Sequence, residues 1–169
     1  STGDPFALAV ALHGAAWSAL GLRDMTRAQA LASEIVASDD VIARATAQEI
    51  LGLAALGERH HAEAATRLGE ALRLRQDMGS QYGVAQVLDS VAALAADRGR
   101  VSQALRVTGS ASKLRQVSGV PLHPMRSAWQ TRWLVPLQRT MPRESIDDLL
   151  AEGRALPAED AIALALTET

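Results

Sequence analysis

An all-α fold built from helix hairpins is predicted on three observations. Apolar residues recur at helical spacing through most of the 169 residues. Small residues, above all Gly52 and the alanines Ala28, Ala64 and Ala104, stand where neighbouring helices would cross. Hydrophobic residues make up 48% of the chain and aromatics only 3%, so the core is alanine and leucine, a composition suited to helices packed on helices.

The clearest stretch is Ala45 to Leu74, ATAQEILGLAALGERHHAEAATRLGEALRL, two amphipathic helices separated by a short polar break. A glycine inside a helix costs about 1 kcal/mol relative to alanine, so Gly52 marks a place where another helix comes too close to admit a side chain. Ala64 and Ala71 do the matching job on the second helix. Ala64 follows Ala28 by 36 residues and precedes Ala104 by 40, which gives three related hairpins. The pair Leu51-Gly52 and the spaced alanines resemble the tetratricopeptide repeat, whose period is about 34 residues. That resemblance implies a right-handed stack of about three degenerate hairpins over residues 1–120, with residues 121–169 adding C-terminal capping helices to the same structural domain. An ordinary helical bundle is the alternative.

Taken in order, Pro5 opens a first helix that runs to about Leu20, because proline at the first helical position forfeits no useful donor. Asp24 is placed to cap the helix carrying Ala28, and Ser38-Asp39-Asp40 to cap the next. The helix of Ala64 should reach about Met78, with Gly79 as its stop and Ser80 as the following cap. Tyr82 to Ala96 and Val101 to Val117 form the third pair around Gly99. Gly119, Pro121 and Pro124 then forbid continuous helix. Beyond them Met125, Trp129 and Trp133 share a helix side, and Pro136 should kink or end that helix. Pro142 and Pro157 each begin a short helix.

Arg126, Arg132, Arg139 and Arg143 accompany the tryptophans, with no acid between Pro124 and Arg143. Such a stripe can stack nucleic acid. It can equally cover the bare apolar end of a repeat array, and this is the favoured reading because no nucleic-acid motif accompanies it. A net charge of −2 gives no general reason to expect nucleic acid or an anionic membrane as partner. Apolar runs stop well short of the ~18 residues a membrane span needs, and the first residues lack a signal-peptide pattern. With no cysteine there is no disulfide framework or thiolate metal site, and a cytoplasmic location is expected. The opening Ser1-Thr2-Gly3-Asp4 without methionine suggests a piece of a longer protein.

Catalytic chemistry is not evident. His60 and His61 are neighbours pointing about 100° apart, so they make a poor metal site. Asp147-Asp148 and Glu159-Asp160 are adjacent acids suited to helix N-termini, whereas hydrolysis needs carboxylates opposed across a cleft. Ser110, Ser112 and His123 form no recognisable nucleophile arrangement, and Lys113 in GSASKL lacks the spacing of a phosphate-binding loop. No cofactor and no metal are expected, and the chain is read as non-enzymatic.

The final segment resembles the C-terminal tail of large bacterial LuxR-like, ATP-dependent transcriptional regulators. The matching residues are Ala151-Glu152-Gly153-Arg154-Ala155-Leu156, Glu159, Ala161 and the ending Ala163-Leu164-Ala165-Leu166. Ala104 to Leu122, with Gly109, Ala111, Leu114, Arg115, Gly119 and Pro121, resembles the repeat before that tail. The chain departs from that pattern at Ile146 and Leu150, where aromatics are usual, and at Pro136. The resemblance implies a sensor and protein-contact region whose ATPase and DNA-binding parts lie outside it. If the hairpins stack, their first helices line a concave side with His13, Trp17, Thr46, Glu49, Leu53, Gln86, Asp89 and Ala93 facing outward. That strip is expected to receive a protein or peptide, another domain of the same chain, or a small effector. A self-contained scaffold that homodimerises through an uncapped end, and an all-helical enzyme, are the competing readings.

Overall fold

The computed structural model describes residues 5–167 and Thr169, so the first four residues, including the opening Ser-Thr-Gly-Asp, lie outside the described residues. Among those described, every regular element is helical: α1 (Pro5–Gly21), α2 (Met25–Val36), α3 (Val41–Gly57), α4 (His61–Asp77), α5 (Gln81–Asp97), α6 (Val101–Ser118), α7 (Pro124–Leu137), α8 (Arg143–Ala155) and α9 (Ala158–Leu166). The predicted caps act as expected. Asp24 Oδ1 accepts from the Arg27 amide at 3.0 Å, Asp40 Oδ1 from the Ile42 amide at 2.8 Å, and Ser80 Oγ from the Gly83 amide at 3.0 Å. Pro136 stands inside the last turn of α7, which ends one residue later.

The turns within the hairpins repeat one another. Arg23, Arg59 and Gly99 are all left-handed, at φ 62°, 64° and 78°. The residue after each donates its amide back across the turn, Asp24 to Ala19 at 2.9 Å, His60 to Ala55 at 2.8 Å and Arg100 to Ala95 at 2.8 Å. This is the bonding that closes a helix on a left-handed residue. Each of these left-handed residues lies five positions before its alanine, Ala28, Ala64 or Ala104, so turn and crossing share one register.

Contacts divide the chain into two compact units, residues 1–74 and 75–169. The division falls within α4; α7, α8 and α9 belong to the same unit as α5 and α6.

In the first unit α1 packs on α2 and α3, and α2 packs on α3. The α3 helix is buried around most of its circumference from Ala45 to Leu56. Gly52 is at the predicted crossing: a Cβ there would lie 2.7 Å from Leu68 Cγ and 3.3 Å from Arg67 Cβ on α4. Ala28, Ala64 and Ala71 are fully buried. On α1, which carries no charged residue, Leu8 and Val10 are exposed.

In the second unit α5 and α6 form the hairpin, α8 lies along α6, and α9 touches both. The α6–α8 crossing is the tightest approach of backbones. A Cβ on Gly109 would press on the carbonyl of Leu150, and one on Gly153 would come within 2.7 Å of the Arg106 carbonyl carbon. Ser110 Oγ donates to the Gly153 carbonyl at 2.7 Å, and Arg106 pairs with Glu152 at 2.7 Å. Gln103 Nε2 donates to the Leu164 carbonyl at 2.9 Å, which ties α9 to α6. The α7 helix packs instead on α5.

Candidate functional site

The outward strip expected along the first helices is not an open face. In the first unit Trp17 Nε1 donates to His13 Nε2 at 3.1 Å, but Trp17 is buried and His13 half-buried. Thr46, Glu49 and Leu53 are interior, with Thr46 Oγ1 donating to the Ile42 carbonyl at 3.0 Å. An intrahelical bond of this kind uses the hydroxyl's one proton within its own helix. Thr46, Glu49 and Leu53 thus face the interior of the unit, not outward as their register implies. Helical register separates one face of α3 from another, but α3 is buried on nearly all of them.

In the second unit the correction has a visible agent. Asp89 forms an ion pair with Arg115 of α6 whose side chains are 6% and 11% exposed, and Ala93 is buried. Gln86 is half-buried beside α7, whose Arg126 donates from Nη1 to the Gln86 carbonyl at 2.9 Å. Of the three predicted residues on α5, two are therefore turned into the unit and the third is met by a helix of the same chain.

How α7 occupies this place follows from its sequence. Pro124 pre-sets the first turn and His123 Nδ1 accepts from the Met125 amide at 3.3 Å, so the helix begins sharply. Arg126, Trp129 and Trp133 follow at i, i+3 and i+7, one side of a helix. Arg126 is the one buried residue of α7. Trp129 and Trp133 are half-buried, and the Arg132 guanidinium lies 5.1 Å from the Trp129 ring centroid, a cation–π contact. Trp133 Nε1 is buried with no hydrogen-bond partner.

Next to the C-terminal half of α7 lies a cleft of about 480 Å³ lined by Leu134 of α7, by Gln138 that caps it, and by Arg143, Ile146, Asp147 and Leu150 of α8. Its lining is apolar at Leu134, Ile146 and Leu150 and polar at the remaining three. Arg143 and Asp147 face one another across one turn at 3.6 Å. This combination suits an apolar side chain entering with its backbone at the rim. The tryptophan stripe and the arginines were the sequence signals for this region; the cleft and the Arg126–Gln86 bond depend on long-range placement and had none.

Groups suited to covalent chemistry do not converge on this region. Ser110 donates to Gly153 within the α6–α8 crossing, and His60 sits at an exposed turn 3.6 Å from Glu58. Among the described residues no group of three or more His, Asp or Glu side chains is placed to hold a metal ion, and no helix is long and apolar enough to cross a membrane. No family model matches the sequence, and neither the curated proteins nor the solved structures give a significant match.

Proposed function

We propose that this chain is a non-catalytic protein-contact module, a tetratricopeptide-like stack of three hairpins with capping helices, whose partner is a helical segment of another protein or domain. The observation that carries this reading is α7 on α5: α5 already carries an added helix, anchored by Arg126 on the Gln86 carbonyl, whose two tryptophans are half-buried. Helix-in-groove recognition uses anchors at i, i+3 and i+7, the spacing of Arg126, Trp129 and Trp133. The common turn at Arg23, Arg59 and Gly99 supports the repeat architecture.

Within a cell this module would serve as the sensor region of a LuxR-like transcriptional regulator in the cytoplasm, with no nucleic acid bound directly. The resemblance of the Ala151–Leu156 tail supports that reading, and Gly153 within it shapes the α6–α8 crossing. Two experiments test it. Selection of a displayed peptide library against the purified chain should enrich amphipathic helical sequences with aromatic anchors; a library without enrichment over background rejects the contact function. A nucleotide-binding region upstream in the same reading frame supports the regulator assignment, and a stop codon directly upstream rejects it.

A homo-oligomeric scaffold is favoured by one observation, the exposed Leu8 and Val10 on the uncharged α1. Light scattering decides between them. A dimer that dissociates on Leu8→Glu with Val10→Glu supports the scaffold, and a monomer at all concentrations removes it.

A further inference from the structure

We propose that α7 is a removable occupant of α5, so that the structure is the closed form of a helix-receiving surface and a partner helix with an Arg-x-x-Trp-x-x-x-Trp row takes the place of α7 when it swings out. Helix α7 is loosely held. Among helices α5 to α9 its one extensive contact is with α5, while α8 is held by a two-glycine backbone crossing and α9 spans α5 and α6. Its apolar side chains are only half-buried, and Val135 is exposed. The cleft beside Leu134 leaves its C-terminal half short of packing atoms, and the buried Trp133 Nε1 is left without a partner, which costs free energy in the closed form. Pro136 removes one bond from its last turn.

Its connections allow the movement. Gly119 ends α6 in the left-handed conformation, and Val120 to His123 lead into α7 without regular structure; on the other side Pro142 stands between α7 and α8. Opening of α7 therefore leaves the α6–α8 crossing intact, because the bonds from Ser110 to Gly153 and from Arg106 to Glu152 do not involve it. Elements with few buried contacts open at free energies well below global unfolding. An α5 face bared in this way presents the Gln86 carbonyl, an acceptor suited to an arginine donor. The partner helix is accordingly cationic and aromatic, like the helix it replaces.

The opening step stands by itself, and the incoming partner rests on the contact function proposed above, so two measurements keep them apart. Hydrogen exchange of the full chain should show amides of residues 127–137 exchanging roughly 100-fold faster than those of residues 146–153 under native conditions. Equal protection of the two segments overturns the removable helix. A labelled, end-blocked peptide of residues 124–137 is then titrated into the wild-type chain and into Arg126→Ala, whose α6 and α8 protection is checked to be unchanged. The variant should bind the peptide about tenfold more tightly than wild type, because the peptide restores the missing arginine. The same peptide with both tryptophans replaced by alanine should not bind. Fast exchange in α7 together with equal peptide affinity for the two proteins overturns the receiving surface while leaving opening established.

Discussion

Gly153 of α8 lies directly on the backbone of Arg106 of α6, so close that an added Cβ would come within 2.7 Å of the Arg106 carbonyl carbon and 2.8 Å of its Cα. Gly109 has the reciprocal position against Leu150. Alanine at either site favours helix by about 1 kcal/mol. The obstacle is backbone, which cannot rotate aside, and forced overpacking costs about 1–3 kcal/mol or more. The steric term wins. Gly153→Ala and Gly109→Ala should each lower the denaturant midpoint at unchanged slope; a midpoint equal to wild type contradicts the crossing.

Gly52→Ala should be milder than either. The group in its way is the Leu68 side chain, 2.7 Å from the added Cβ, rather than backbone. Leu68 is fully buried, so its new rotamer disturbs neighbours, but the helix-propensity gain offsets part of that. The expected net loss is about 1 kcal/mol, measured by thermal or urea unfolding, with the order Gly153→Ala worse than Gly52→Ala as the discriminating result.

These glycines also show what sequence can and cannot convey. Gly52 was legible because its neighbour α4 follows at once, and the register of Ala28, Ala64 and Ala104 reappears in the left-handed residues five positions before them. The pairing of Gly109 with Gly153 was not, since it depends on α8 folding back on α6 across more than 40 residues. The same limit applies to the candidate site. Register places Gln86, Asp89 and Ala93 on one side of α5, but no local pattern says that Arg115 and Arg126 will reach that helix from α6 and α7. Thr46, Glu49 and Leu53 fail for a related reason: α3 is packed on so many sides that an outward register has no outside to face.

The side chains of the Asp89–Arg115 pair are largely withdrawn from water, at 6% and 11% exposure. Removing one partner strands a charge away from water, and Asp89→Ala should cost about 3–5 kcal/mol. Replacing both with apolar residues removes the desolvation penalty along with the attraction, so Asp89→Leu with Arg115→Met should lie close to wild type. A double-mutant cycle by chemical denaturation measures the difference. Additive losses would show that the two side chains do not depend on one another.

Arg23 and Gly99 occupy equivalent turns at φ 62° and 78°, one with a side chain and one without. A left-handed conformation costs a residue with a Cβ roughly 1–2 kcal/mol. Arg23 is exposed, so replacing it with glycine forfeits little packing. The opposing term is the greater freedom of glycine in the unfolded chain, about 0.4–1 kcal/mol. Relief of strain is the larger, and Arg23→Gly should stabilise by about 0.5 kcal/mol. Gly99→Ala reverses both terms. Its Cβ meets nothing within 4 Å, so no clash is added to these two terms, and the variant should be destabilised by about 0.5–1 kcal/mol. Urea midpoints of the two variants should therefore move in opposite directions from wild type; a shift in the same direction would mean that the turns at Arg23 and Gly99 are not equivalent.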